Sequence, residues 1–221
     1  MAQPPRVKIC CIASVAEAQL AHRAGAAALG LVSAMPSGPG IISDAVVADV
    51  ASAMRGQDVR SFLLTARNTA ESIAAQHRAA GTTTLQLVDH VPHCELRQLR
   101  LLCPAVELVQ VIHVTGEASI DEAVAVAPWV DAVLLDSGNP ALAIKELGGT
   151  GRSHDWRLSR RIRDAVYPLP LYLAGGLHAG NVRAAIATVQ PFGLDLCSRV
   201  RHEGRLDAAL LGALVAAVRG V

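Results

Sequence analysis

Two glycine-rich stretches carry the first chemical clue in this chain. Gly148-Gly149-Thr150-Gly151 and Ala174-Gly175-Gly176-Leu177 each follow an apolar run or its connecting loop. Glycine there removes side chains where the backbone must come close to something. The freed N–H groups of such turns make an anion nest. Helical patterns follow both stretches, near 156 and near 179, and a helix N-terminus favours the same negative charge. The chemistry implied is the seating of a phosphate. Beside these stretches, polar side chains interrupt apolar runs. On extended backbone Lys8 and Cys10 share one face, with Val7, Ile9 and Cys11 on the other. Leu134 and Asp136 share a face, and Asp195 and Cys197 oppose Leu194 and Leu196. Gln86 and Gln110 break two further runs.

These residues need elements to position them. Apolar runs mark strands at Val7–Ile12, Ala28–Val32, Val59–Leu64, Thr83–Val88, Glu107–His113, Asp131–Leu135, Leu169–Ala174 and Gly193–Cys197. Ala-rich helical patterns lie between and after them, near 15–24, 44–54, 69–79, 94–103, 118–126, 156–166, 179–188 and 206–218. Ser43 before Asp44, and Asp155 before Trp156, read as helix starts. Eight strand–helix pairs point to an α/β fold, a single-domain (β/α)8 TIM barrel over residues 1–221, with an open doubly wound sheet as the runner-up. In a barrel, alternate strand residues face the lumen. A lumen holding Lys8, Cys10, Gln86, Asp136 and Asp195 is too polar to be filler alone. Cys10 and Asp136 fall at C-terminal strand ends, where barrels place their chemistry.

Composition narrows the functions. The net charge is +1 with interspersed signs, and aromatics make up 3% of the chain, which argues against nucleic-acid binding. Hydrophobic residues make up 52%, yet no run of 18 or more uncharged apolar residues occurs, which argues against a membrane span. Met1 to Arg6 has no apolar signal core, so a cytoplasmic location is expected. The five cysteines form no C-x-x-C pair, so neither a disulfide framework nor a metal site is expected. Cys11 is expected to face the helix layer. Cys94, Cys103 and Cys197 are expected to be structural or surface thiols.

The ordered set Lys8-Ile9-Cys10, Leu134-Leu135-Asp136-Ser137, Gly148–Gly151 with Asp155-Trp156, Leu173–Leu177 with Asn181-Val182, and Asp195-Leu196-Cys197-Ser198 resembles the phosphoribosylanthranilate isomerase family of tryptophan biosynthesis. The resemblance runs over nearly the whole chain. It implies a cofactor-free, metal-free (β/α)8 barrel that performs an Amadori rearrangement, turning an N-(5-phosphoribosyl) amine into a 1-amino-1-deoxyribulose 5-phosphate. Cys10 matches the family's general base and Asp136 its general acid. Gly148, Gly149, Thr150, Gly151, Gly175, Gly176, Asp195 and Ser198 match its phosphate-side loops. The partner implied is a small phosphorylated sugar amine, met by a monomer or homodimer.

Such a mechanism needs Asp136 protonated and Cys10 thiolate-like. Lys8, two residues earlier on the same face and about 6.5 Å away by strand rise, is the expected cation, with Asp195 as its second partner. The blander reading of Cys10 is a packed core thiol; Lys8 and the motif set favour the functional one. Several positions depart from the family. Ser37-Gly38-Pro39-Gly40-Ile41-Ile42-Ser43 lacks the loop arginine that helps hold the anthranilate end. Val88-Asp89 replaces His-Gly, Cys11 replaces a glycine, and Cys197-Ser198-Arg199-Val200-Arg201 replaces Ser-Ser-Gly-Val-Glu. Arg199 or Arg201 is a candidate substitute for the missing arginine. Asp89-His90 and His113 could line the pocket, His178 beside the second glycine pair could touch phosphate, and the 33–43 loop could close as a lid. Two alternatives stand beside the isomerase: a paralogue using another phosphoribosyl amine, and a phosphosugar-binding barrel without catalysis.

Overall fold

In the computed structural model, residues 4–148 and 151–220 are described; Gly149 and Thr150 of the first glycine stretch lie outside them. The elements alternate as β1 (Arg6–Ile9), α1 (Val15–Arg23), β2 (Ala28–Val32), α2 (Asp44–Ala53), β3 (Arg60–Thr65), α3 (Ala70–Ala80), β4 (Thr84–Leu87), α4 (His93–Leu102), β5 (Glu107–His113), α5 (Ala118–Val126), β6 (Ala132–Asp136), α6 (Trp156–Val166), β7 (Leu171–Leu173), α7 (Val182–Val189), β8 (Gly193–Leu196) and α8 (Ala208–Arg219). The eight strands are parallel and close into a barrel, β8 pairing with β1. This is the (β/α)8 barrel expected from the sequence, and the open sheet is excluded. Between β8 and α8 lies a hairpin that the sequence reading did not anticipate, β9 (Arg201–His202) and β10 (Arg205–Leu206). Glu203 and Gly204 at its tip both have positive φ, 48° and 78°, as a two-residue primed turn requires.

Capping sets several helix starts. Ser14, Ser43, Asp155 and Asp207 each accept a hydrogen bond from a backbone N–H of the first turn of α1, α2, α6 and α8. The apolar residues divide between two layers. Ile9, Leu29, Leu63, Leu85, Leu108 and Leu173 belong to the layer between sheet and helices, all fully buried. Phe62, Val109, Val111, Leu134 and Tyr172 fill the lumen. Tyr172 packs edge-on against Phe62 at 5.9 Å between ring centroids and against Phe192 at 5.5 Å, closing the lumen below its polar upper part. Among the described residues, no helix is long and apolar enough to cross a membrane.

Candidate active site

The strand register decides what meets at the barrel mouth. The β1–β8 pairing places Lys8 beside Asp195 and Ile9 beside Leu196. Lys8 is fully buried, and its Nζ lies 2.8 Å from Asp195 Oδ2. The expected ion pair is therefore formed. Burial works against the Lys8 charge, but the Asp195 carboxylate outweighs it and holds the ammonium above its ordinary range. Nζ also lies 5.3 Å from the centroid of the Phe62 ring. A Cβ on Gly30 would sit 2.8 Å from Cys10 Sγ and 3.1 Å from Lys8 Nζ. Thiol and ammonium thus flank one small space that only glycine leaves open.

Breaking this pair exposes its energetics. Lys8→Met strands a buried carboxylate and is expected to cost about 3–5 kcal/mol of stability, with Lys8→Met/Asp195→Leu regaining much of the loss. Urea unfolding checks this. A change under about 1 kcal/mol, the scale of an exposed pair, would refute it.

A cleft opens above the pair, lined by Cys10, Gln86, Asp136, Gly148, Gly151, Gly175, Gly176, Asp195 and Ser198 among others. Asp136 ends β6 and is 9% exposed, and its Oδ1 accepts a hydrogen bond from the Ser137 N–H at 2.7 Å. Gly148 (φ 127°) packs on the other carboxylate oxygen, where a Cβ would collide with it. The glycine there makes room for the acid, a role that the anion-nest argument had not foreseen. Gly175 and Gly176 pack close to residues 151–154, and Gly151 approaches the Ser198 hydroxyl. Asn181 braces this turn, its Nδ2 donating to the Gly176 carbonyl at 3.0 Å and its Oδ1 accepting from the His178 N–H at 2.8 Å. The helix expected near 179 begins at Val182.

Two thiols stand elsewhere than expected. Cys11 has φ 61°, which breaks the strand alternation and turns its side chain from the helix layer into the cleft. Cys197 lines the cleft too, so it is neither a surface nor a purely structural thiol. Cys94 is exposed and Cys103 buried, as thiols away from the site.

The arginines also sort clearly. Arg199 is exposed on the short 3-10 turn after β8 and is not among the residues lining the cleft. Arg201 is committed elsewhere. Its guanidinium donates to the Cys10 and Cys11 carbonyls at 3.1 and 2.5 Å, to the Gly204 carbonyl at 3.2 Å, and to both Glu17 oxygens at 3.1 Å. Burial opposes the charge of Glu17, but the N–H groups of Leu206 and Ala13 and the Arg201 guanidinium hold it below the usual carboxylate range. Arg201 therefore fixes the end of β1 from outside the cleft. Neither arginine takes the place of a loop cation. The Glu17–Arg201 partnership escaped the sequence reading because it spans 184 positions; only an acid at a helix start and a basic residue after β8 hinted at it.

The loops over the mouth touch each other. The Ser37 hydroxyl donates to the Lys145 carbonyl, and Lys145 Nζ pairs with Asp89 at 2.5 Å. His113 bonds the Val88 carbonyl at 3.0 Å, and His178 Nδ1 accepts from the Gly180 N–H at 3.1 Å. Both histidines thus have local structural partners, and neither lines the cleft, nor does His90.

The family model for N-(5'-phosphoribosyl)anthranilate (PRA) isomerase matches residues 7–217. The chain belongs to that family. An isomerase of this name from Methanocella arvoryzae is 33% identical over 200 residues, covering 90% of this chain and 91% of the relative. One from Magnetococcus marinus is 36% identical over 222 residues, covering 97% and 95%. The crystal structure of phosphoribosyl anthranilate isomerase from Thermus thermophilus superposes with a TM-score of 0.81 at 25% identity, covering 97% of this chain and 98% of that one. The Thermotoga maritima isomerase gives 0.81 at 26% identity, covering 98% and 100%.

Proposed function

We propose that the chain is an aldose–ketose isomerase of tryptophan biosynthesis, converting N-(5'-phosphoribosyl)anthranilate to its 1-deoxyribulose 5-phosphate isomer with Asp136 as acid and Cys10 as base. Asp136 delivers a proton to the ribose ring oxygen, and the ring opens to an iminium. Cys10 takes the proton from C2, giving an enolamine that tautomerises to the ketone. Lys8 Nζ stands beside the thiol, across the space that Gly30 leaves open. The single observation that carries this reading is the convergence of Cys10 and Asp136 on one cleft, at the C-terminal strand ends, with the glycine turns on its wall.

The phosphate end is assigned to Gly151, Gly176 and Ser198. Among the described residues, the N–H groups of Gly176 and Leu177 have no acceptor, which leaves them for an anion. Gly149 and Thr150 are assigned to phosphate binding by the motif alone. The aromatic end falls to Val32, Met35, Pro39, Leu64 and Leu147, an apolar wall that suits an aryl ring. The work is placed in the cytoplasm, by a monomer or homodimer.

Growth tests the substrate. The chain is expected to restore growth without tryptophan to a bacterium lacking its own isomerase. Soluble expression without rescue would count against anthranilate as the amine.

A further inference from the structure

Three thiols meet at the mouth of the cleft. Cys10, Cys11 and Cys197 all line it. The β1–β8 register runs through Lys8 with Asp195 and Ile9 with Leu196, and the Cys10 N–H donates to the Leu196 carbonyl at 2.7 Å. Continued by one residue, this register sets Cys10 opposite Cys197, with Cys11 the next residue along the chain. Neighbouring strands lie about 4.8 Å apart, within the Cα separation of about 4.4–6.8 Å that a disulfide spans. The positive φ of Cys11 turns its side chain into the cleft that Cys10 and Cys197 also line. Left-handed backbone suits glycine best, yet a cysteine stands there. The proton transfers assigned above use neither Cys11 nor Cys197.

We infer that Cys11 and Cys197 form an oxidation site that takes a hydroperoxide and closes to a disulfide across the mouth of the cleft. Cys197 is half-buried and the more accessible of the two, so it reacts first. The neighbouring Cys11 thiol and the Arg201 charge, acting against burial, hold this thiol below its usual range. The thiolate attacks one peroxide oxygen. An S–O bond forms, the O–O bond breaks, and the leaving oxygen takes up a proton, as water when the oxidant is hydrogen peroxide. The Cys11 sulfur then attacks the sulfenic sulfur. The S–S bond forms, the S–O bond breaks, and hydroxide leaves with the Cys11 proton as water. Two thiols are oxidised by two electrons, and one hydrogen peroxide is reduced to two waters.

The bridge has a local consequence. The Cys11 thiol currently donates to the Pro39 carbonyl at 3.5 Å, tying β1 to the 33–43 loop. Oxidation removes that donor and clamps the segment after β8 to the end of β1. Displacing a reacting group by about 1 Å can cost about a hundredfold in rate. Turnover therefore falls while the bridge stands and returns on reduction.

The test treats the intact protein with hydrogen peroxide, alkylates it, and reads free thiols, joined peptides and isomerase turnover. Cys11→Gly, which suits the positive φ, and Cys197→Ser serve as controls, each compared with its own untreated rate. In the parent, two of the five thiols are expected to disappear, with peptides joined through positions 11 and 197. Dithiothreitol then restores both thiols and turnover. The two variants form no bridge, and dithiothreitol restores none of the turnover that peroxide removes. Five intact thiols in the parent, a bridge through Cys10, or equally reversible inactivation in the variants would overturn the inference. The site lies in the cleft assigned to catalysis, but the bridge is read by mass. A bridge in a protein that does not isomerise would sink the proposed function and leave the oxidation site standing.

Discussion

Cys10→Ser lowers kcat by roughly 100- to 10,000-fold, the scale of a lost general base, while binding of a product analogue stays nearly unchanged. The substitution keeps the shape of the side chain and the hydrogen bond from the Cys10 N–H to the Leu196 carbonyl. What it removes is ionisation. A hydroxyl gives up its proton far less readily than a thiol, and the Lys8 ammonium cannot close that gap. The Lys8–Asp195 pair beneath it survives, so the fold is expected to hold. Stopped-flow turnover and calorimetric titration of the analogue separate the two effects. A serine variant with the parent's kcat would remove this residue from the chemistry. A variant that fails to bind as well would make the thiol a packing group.

Asp136→Asn carries a loss of similar size for the opposite reason. The amide can accept from the Ser137 N–H as the carboxylate does, and it fits against Gly148 with little change in volume. It has no acidic proton to give to the ring oxygen. A kcat roughly 100- to 10,000-fold down with nearly unchanged binding is expected. The double variant should be no worse than the two losses combined. Parent-like turnover in Asp136→Asn would assign the acid to another group.

Much of this arrangement is legible in the residues. Continuous apolar runs locate eight strands because both faces of a parallel sheet are buried. The boundaries at Glu107–His113, Ala118–Val126 and Trp156–Val166 emerge as expected. The polar interruptions at Lys8, Gln86, Asp136 and Asp195 mark the lumen because strand alternation holds through those positions. The same rule fails at Cys11, where a left-handed φ reverses the facing that alternation assigns. Composition cannot reveal such a reversal in a residue other than glycine. The hairpin after β8 was hidden by its brevity, and the Arg201–Glu17 tie by the length of chain between its ends. The glycine stretches were found for a partly different reason than the one they serve. Gly148 and Gly175 are small because Asp136, Ser137 and His154 press on them.

The pairing of the first strand with the last has a consequence for synthesis. Synthesis runs from Lys8 on the first strand to Asp195 on the eighth, so the ammonium waits for its carboxylate until the last strand of the barrel is made. Until the eighth strand arrives, the edge that carries the thiol stays unsealed, and no half-built molecule can bring its reactive groups face to face. Premature termination anywhere before that strand therefore yields a product without activity.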